Sequence, residues 1–381
     1  MTTPKGELPA QPPVGYAERW WIPRVWTGTP AGIWLRRLHA YHWRICAARI
    51  PMAALQTVVG VYNSSMAAVQ RAWFGRRIAA ARIAPAPVFV IGHWRSGTTL
   101  MHELLALDPR HRAPSSFECF GAAHFLVTER FMVPWMQYLV PDRRPTDNMA
   151  HGLHHPQEDE FALCCLGQPS PYLALLFPNE DGVADDYYDL AALTPEACAE
   201  WVATLGRFLR SLLVRRAGRL VLKGPLHTAR MRTLARVFPG ARFVHMVRDP
   251  LEMIPSTIKL LQRLTRDQAL QRPGRFDAEE FAFGAFRRLY HAHDADLVLL
   301  RSDQHCTVRY EDLVRDPHAE LARIYETLGL GEIHTVLPLV ERYWQTASKH
   351  VRVTAPADDR LRQRIRQDCS GYAARYGYEL R

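Results

Sequence analysis

The sequence predicts an α/β protein with a P-loop-like three-layer fold, in which a central parallel sheet is flanked by helices. Two observations predict it. Short apolar runs repeatedly break into a polar loop and resume as a helix, at residues 87–101, 219–238, 241–261 and 304–328. Strands that alternate with helices need right-handed crossovers, which make the strands parallel. The first of these units also has a glycine-bounded loop typical of phosphate binding.

Composition sets broad limits on the class of protein. Of the 381 residues 48% are hydrophobic, and 48 Lys and Arg against 38 Asp and Glu give a net charge of +10. Such a charge suits an anionic nucleotide, an anionic membrane or a nucleic acid. The seven cysteines form no C-x-x-C pair, so we expect neither a disulfide framework nor a zinc site.

The start of the chain carries no basic and apolar signal segment, and no apolar run reaches the ~18 residues of a membrane span. We therefore expect a cytoplasmic protein and leave peripheral membrane attachment open. Residues 1–30 are predicted as an irregular, proline-containing arm, and helical periodicity runs from Pro30 to Ile83. This divides the chain into an N-terminal arm and helical appendage, 1–85, and a main domain, 86–381. Packing of the appendage onto the domain is favoured over a helix lying on lipid.

The organising stretch is PVFVIGHWRSGTTLM, residues 87–101. Gly92 and Gly97 permit a tight turn, and the consecutive backbone N–H groups and hydroxyls at Ser96, Gly97, Thr98 and Thr99 would meet an anion at a helix N-terminus. The Walker A lysine is missing, because Thr98 stands at its position. The cation is Arg95, inside the loop, which argues against a nucleoside triphosphatase.

After this loop a helix is predicted from Leu100 to Leu107, ending at Asp108-Pro109 because proline disfavours helical geometry in the residue before it. The segment 110–205 is irregular and rich in Pro, His and aromatic residues, and we interpret it as lining an acceptor pocket. Helical periodicity returns from Thr194 to Val214. The side of that helix predicted to face the core carries Trp201, Leu205, Phe208, Leu209 and Leu212.

Four candidate functional residues follow strand ends. Lys223 ends the strand after Arg219, Arg248 follows Phe243–Val247, and Tyr310 ends the strand that begins near 305. Since ligands bind at the carboxyl ends of parallel strands, we expect these residues to converge with Arg95. Ser256 stands eight residues after Arg248, so the two could form a second anion site.

These motifs resemble the sulfotransferases that use 3′-phosphoadenosine 5′-phosphosulfate (PAPS), in particular the tyrosylprotein sulfotransferases and bacterial enzymes with the same loop form. The resemblance extends in order over residues 87–315 and rests on four stretches: HWRSGTTLM, LVLKGP, FPGARFVHMVRD and RYEDLVRDP. One departure is Trp94, where the family usually has proline.

The resemblance implies roles for individual residues. Arg95 and Lys223 flank the transferring sulfuryl group and neutralise charge on the leaving nucleotide, while residues 96–99 hold the 5′-phosphosulfate. The 3′-phosphate falls to Arg248 and Ser256, and Tyr310 and, more weakly, Lys349 in SKHVRV contact the nucleotide. No metal is required, and the sequence shows no carboxylate or histidine cage for one.

The general base that takes the acceptor proton stays open between three residues. Glu118 is the first choice, by its position beyond the first helix. His155, next to His154, is the second, because the carboxylates of Glu158, Asp159 and Glu160 follow it and a carboxylate can orient an imidazole. His227 is the third.

The sequence therefore predicts a PAPS-dependent sulfotransferase acting on a hydroxyl of a small molecule, lipid or glycan, with an apolar acceptor favoured by the composition of 110–205. Two alternatives are a P-loop nucleotide kinase and a non-enzymatic basic lipid-binding protein. No nucleic-acid module is recognisable, and oligomeric state cannot be predicted.

Overall fold

The sheet is parallel throughout, as predicted. The computed structural model describes residues 24–136, 152–272, 274–347 and 357–380. Within this part of the chain five strands form one sheet in the order β2-β3-β1-β4-β5. Strands β1 to β5 are Val88–Ile91, His111–Arg112, Arg219–Lys223, Arg242–Val247 and His305–Arg309.

Fifteen α-helices surround the sheet in the described residues. Helices α1 to α15 are Ala31–Ala40, Ile50–Ala80, Thr98–Ala106, Ser116–Phe120, Phe125–Met136, Asp159–Cys165, Pro195–Arg215, Met231–Val237, Pro250–Gln268, Ala278–Leu297, Tyr310–Arg315, Pro317–Leu328, Leu337–Ala347, Asp359–Asp368 and Ser370–Tyr376.

Alternation along each buried strand divides the core between the two faces of the sheet. In β1, Val88 and Val90 pack with side chains of α3 and α12, whereas Phe89 and Ile91 pack with those of α7 and α8. Because both faces are covered, the central strands are apolar on both sides. This arrangement is the predicted three-layer fold.

Helix α7 confirms the predicted core-facing side. It begins after Thr194, whose hydroxyl accepts a hydrogen bond from the Ala197 N–H, and its five predicted apolar residues are all buried. The first-unit helix, α3, ends at Ala106, two residues before the Asp108-Pro109 step. The two-residue strand β2 was not predicted, because it has no apolar run and exists only through its pairing with β3.

The segment 110–205 is more regular than its composition indicates. It contains α4, α5, α6 and about the first half of α7.

The N-terminal helices α1 and α2 pack onto the rest of the protein. Trp34 on α1 is 1% exposed, donates its indole N–H to Thr57 on α2, and shares a hydrophobic cluster with Phe177 and Leu270. Arg37 donates to the Cys164 carbonyl of α6. Side chains from both sides of residue 85 therefore share one hydrophobic cluster, as the favoured packing of the appendage requires. No helix in the described ranges has the length and apolarity that crossing a bilayer requires.

We expect Trp34→Ala to lower the free energy of unfolding by about 3–5 kcal/mol, since it removes a fully buried indole from a shared core. Urea denaturation monitored by circular dichroism measures the change. Trp73→Ala is the control, because Trp73 on α2 is 71% exposed. If the Trp34 variant unfolded in two steps, with the main transition unchanged, α1 would be an independent unit and shared packing would be refuted.

Candidate active site

The loop between β1 and α3 is shaped by two glycines with positive φ. Gly92 has φ of 136°, and a Cβ there would lie 2.4 Å from the Met246 carbonyl oxygen. Gly97 has φ of 97°, and a Cβ there would lie 2.5 Å from the Tyr310 ring. The Ser96 hydroxyl donates to the His93 carbonyl at 2.7 Å. The turn therefore delivers the N-terminus of α3 to the end of β1, a geometry that favours an anion.

Arg95, Ser256, Arg248 and Tyr310 converge beside this loop, although they come from four different segments. Arg95 Nε donates to Ser256 Oγ on α9 at 2.9 Å, and Arg248 Nη1 donates to the Arg95 carbonyl at 3.2 Å. The Arg248 guanidinium lies 4.4 Å from the centroid of the Tyr310 ring, a cation–π arrangement. The residues expected to form the two anion sites therefore lie next to each other, at the carboxyl ends of β1 and β4.

Lys223, at the end of β3, enters the same region through a buried polar chain. Its ammonium donates to Glu158 Oε1 at 2.5 Å, and its side chain is 3% exposed. The Tyr172 hydroxyl donates to Glu158 Oε2 at 2.5 Å and accepts from the Trp94 indole N–H at 2.9 Å. Burial, followed by the Glu158 charge, raises the pKa of Tyr172 well above its usual value, so its hydroxyl keeps its proton.

Glu158 is the first of three consecutive acidic residues, each of which pairs with a basic residue at the end of β3 or shortly after it. Asp159 accepts from His227 Nε2 at 2.8 Å, with both side chains fully buried. Glu160 accepts from Arg230 Nη1 at 2.6 Å, and the Arg230 guanidinium also lies over the Trp201 ring. Together with the Lys223 pair, these contacts seat the N-terminus of α6 on the segment from β3 to α8.

Glu118, the first-choice base, is bound within its own neighbourhood. It is 2% exposed, pairs with Arg112, and accepts from the Ser115 backbone N–H at 2.8 Å. The Ser115 hydroxyl in turn accepts from the Glu118 N–H, which completes a capping box for α4. One carboxylate oxygen therefore caps the start of α4, and the other is held by Arg112. Its role as a base stays a prediction, and this geometry does not favour it.

The other two candidate bases, His155 and His227, lie in different surroundings. His155 is partly exposed, and its backbone carbonyl accepts from the Ser116 N–H at 2.9 Å. His227 is fully buried, its imidazole is hydrogen-bonded to Asp159, and its ring lies edge-on to that of Phe89 on β1. Lys349 lies outside the described residues.

Three residues of this site were missed as candidates from the sequence: Glu158, Tyr172 and Trp94. Glu158 was considered only as a carboxylate that might orient His155. Its position as the residue before the first turn of α6 was a usable signal, since it follows an extended proline-containing segment. Trp94 was noted only because it stands where the family usually has proline. Its indole N–H donates to the Tyr172 hydroxyl, a contact that proline could not make.

The chain matches a family model and curated proteins. The model described as Sulfotransferase family matches residues 87–333. The omega-hydroxy-beta-dihydromenaquinone-9 sulfotransferase Stf3 of Mycobacterium bovis is 40% identical over 327 residues, which cover 85% of this chain and 84% of that protein. The protein of the same name from Mycobacterium tuberculosis matches with the same identity and coverage.

Solved structures with the same fold include two mycobacterial proteins. Sulfotransferase STF9 from Mycobacterium avium superposes with a TM-score of 0.69 at 18% identity, covering 93% of this chain and 98% of that one. Sulfotransferase STF1 from Mycobacterium tuberculosis gives a TM-score of 0.56 at 17% identity, with coverage of 89% and 90%. These two likenesses bear on the fold alone.

Proposed function

The chain belongs to the sulfotransferase family, and from this premise we propose that it moves the sulfuryl group of PAPS onto a hydroxyl of a membrane lipid. Membership confirms the prediction of a sulfotransferase, and neither the kinase nor the non-enzymatic alternative fits it. The observation that carries the finer proposal is the contact between Lys223 and Glu158 beside Arg95 and its loop. The cation can neutralise charge on the leaving nucleotide, and the carboxylate can accept the proton of the acceptor hydroxyl.

In this proposal PAPS binds beside the loop between β1 and α3, against Arg248 and Tyr310. Its 5′-phosphosulfate lies at the N-terminus of α3, where residues 97–99 supply N–H donors and Thr98 and Thr99 supply hydroxyls. Ser96 shapes the loop instead, because its N–H and its hydroxyl both donate to the His93 carbonyl. The 3′-phosphate of PAPS meets Arg248 and Ser256. Support comes from the hydrogen bond of Arg95 to Ser256, which links the loop to a residue proposed for the 3′-phosphate.

Transfer is an in-line displacement at sulfur, by analogy with phosphoryl transfer. The acceptor oxygen forms the new S–O bond, the bond from sulfur to the bridging phosphate oxygen breaks, and the electron pair leaves on the nucleotide. Lys223 and Arg95 neutralise that growing charge. The acceptor proton passes to Glu158, which becomes available when the Lys223 ammonium turns from the carboxylate to the bridging oxygen.

The acceptor follows from the relatives and from the pocket. The Mycobacterium bovis relative is named for sulfation of a hydroxylated dihydromenaquinone, a long apolar lipid. Here the side of Glu158 away from Lys223 meets Tyr172, and the Tyr172 ring lies 5.3 Å from that of Phe161. Aromatic rings beside the Glu158 carboxylate suit an apolar alcohol. We therefore propose a hydroxylated isoprenoid quinone or a chemically similar lipid alcohol as acceptor.

A lipid acceptor requires access to a membrane, and helices α2 and α5 offer a suitable surface. Trp73 on α2 is 71% exposed, and Phe131 and Trp135 on the adjoining α5 are 69% and 77% exposed. Helix α2 has three arginines and no acidic residue. Exposed aromatic rings among uncompensated arginines are typical of a helix that lies on anionic lipid. We propose that this surface docks on an anionic bilayer.

We expect Lys223→Met and Arg95→Ala each to lower kcat for sulfuryl transfer by about 10²–10³, since each removes a cation that meets the leaving charge. Transfer of labelled sulfate from PAPS to a hydroxylated menaquinone measures the rate. Lys259→Met, an exposed lysine on α9, is the control and should be unaffected. Full activity of either variant would exclude a leaving-group role for the residue that was replaced. Failure of the wild-type protein to bind 3′-phosphoadenosine 5′-phosphate (PAP), the nucleotide product, would exclude PAPS as the donor.

We expect Glu158→Gln to lower kcat by about 10²–10⁴ with little change in PAP affinity, since it removes a proton acceptor and not the nucleotide contacts. Glu118→Gln and His155→Ala, measured beside it, should keep kcat. Glu118→Gln should instead lower thermal stability, because a buried Arg112 loses its charged partner. If Glu118→Gln lost turnover while remaining folded and Glu158→Gln kept it, the base would be Glu118.

We expect the protein to sediment with phosphatidylcholine vesicles that contain phosphatidylglycerol, and much less with phosphatidylcholine alone. The Trp73→Ala/Trp135→Ala double variant should lose binding by about tenfold, because two indoles no longer enter the interface. The matched control is Val298→Ala/Leu299→Ala, which removes exposed apolar side chains after α10. Equal loss in both variants, or binding indifferent to lipid charge, would contradict docking through α2 and α5.

A further inference from the structure

Three histidines from separate elements meet between the sheet and α10. His245 lies on β4, His305 begins β5, and His293 lies on α10. In the β4–β5 register Phe243 pairs with His305, so His245 and His305 project from the same face of the sheet. The coordinating nitrogens of the three rings all lie within 4.8 Å of one another.

Each of the three rings has at least one buried nitrogen without a hydrogen-bond partner among the described residues. These nitrogens are Nε2 of His293, Nε2 of His305 and both nitrogens of His245, of which one at a time can bind the same ion. His245 and His293 are each 0% exposed. Buried polar atoms are normally paired, and leaving one unpaired costs about 1–3 kcal/mol, so several at one point indicate a missing ligand.

His293 is oriented as a metal ligand usually is. Its Nδ1 lies 3.2 Å from the Asp294 carboxylate, which favours the proton on Nδ1 and leaves the Nε2 lone pair without a partner among the described residues. Asp294 also pairs with Arg375, so that the positive charge nearest to the cluster is balanced. The rings of Tyr290 and Tyr376, with centroids 5.9 and 5.6 Å from that of His245, exclude water from one side.

We propose that His245, His293 and His305 bind one Zn²⁺ ion, with the fourth position of a tetrahedron taken by solvent on the side of His305. A neutral imidazole is the ligand form for borderline metals such as zinc. His305 is only partly buried and begins the edge strand, which gives the ion a path from solvent. The ion ties the edge strand β5 to β4 and α10. The proposed role of the ion is structural, since none of its three ligands is a residue assigned to sulfuryl transfer.

The test uses the whole protein, freed of affinity tag and chelator-treated, with Zn²⁺ and Co²⁺ as probes. We expect one Zn²⁺ per chain by calorimetry, a Tm that rises with Zn²⁺ concentration, and visible Co²⁺ bands of a four-coordinate nitrogen site. Absence of saturable binding, or Co²⁺ bands of a six-coordinate aqueous type, would overturn the proposal.

Variants identify the ligands. His305→Gln and His293→Ala should abolish the Co²⁺ bands and the Zn²⁺-dependent rise in Tm. His291→Ala is the matched control, since His291 lies exposed on the same helix as His293. His305→Gln is the decisive variant, because its half-buried edge position tolerates substitution, and circular dichroism checks its fold. Retention of stoichiometric binding in a folded His305→Gln protein, or its loss in His291→Ala, would refute this ligand set.

Discussion

The run of three acids at the start of α6 is the constraint on which the site depends. Glu158, Asp159 and Glu160 meet Lys223, His227 and Arg230 in order. Each pair gains little net stability, since desolvation offsets most of the attraction between buried charges. Instead, the pairs fix the position of the start of α6 against the end of β3. They thereby also fix the Glu158 carboxylate, which we propose as the base.

Much of the fold could be predicted because its signals are local. An apolar run, a glycine turn and a helical period identify each crossover unit, and the strands of successive units have to end at one edge. The convergence of Arg95, Lys223, Arg248 and Tyr310 follows from that rule alone. Strand β2 could not be found, because two residues carry no pattern, and its pairing depends on β3.

The base could not be chosen from the sequence, because the choice depends on which partners each carboxylate finds. Glu118 and Glu158 both stand near a helix start, yet one meets Arg112 and Ser115 while the other meets Lys223 and Tyr172. The histidine cluster was equally hidden. Its members lie on two strands and a helix, and none of the intervals between them matches a metal-binding motif.

Strand β1 sits at the centre of the sheet but is made early in the chain. Its partners are β3 and β4, so Val88 pairs with Val221 and with Arg242. While the chain emerges from the ribosome, the apolar strand β1 has no neighbouring strand until β3, at residues 219–223, has been synthesised. Long-range parallel pairing of this kind slows folding, and the unpaired apolar strand favours aggregation during that interval.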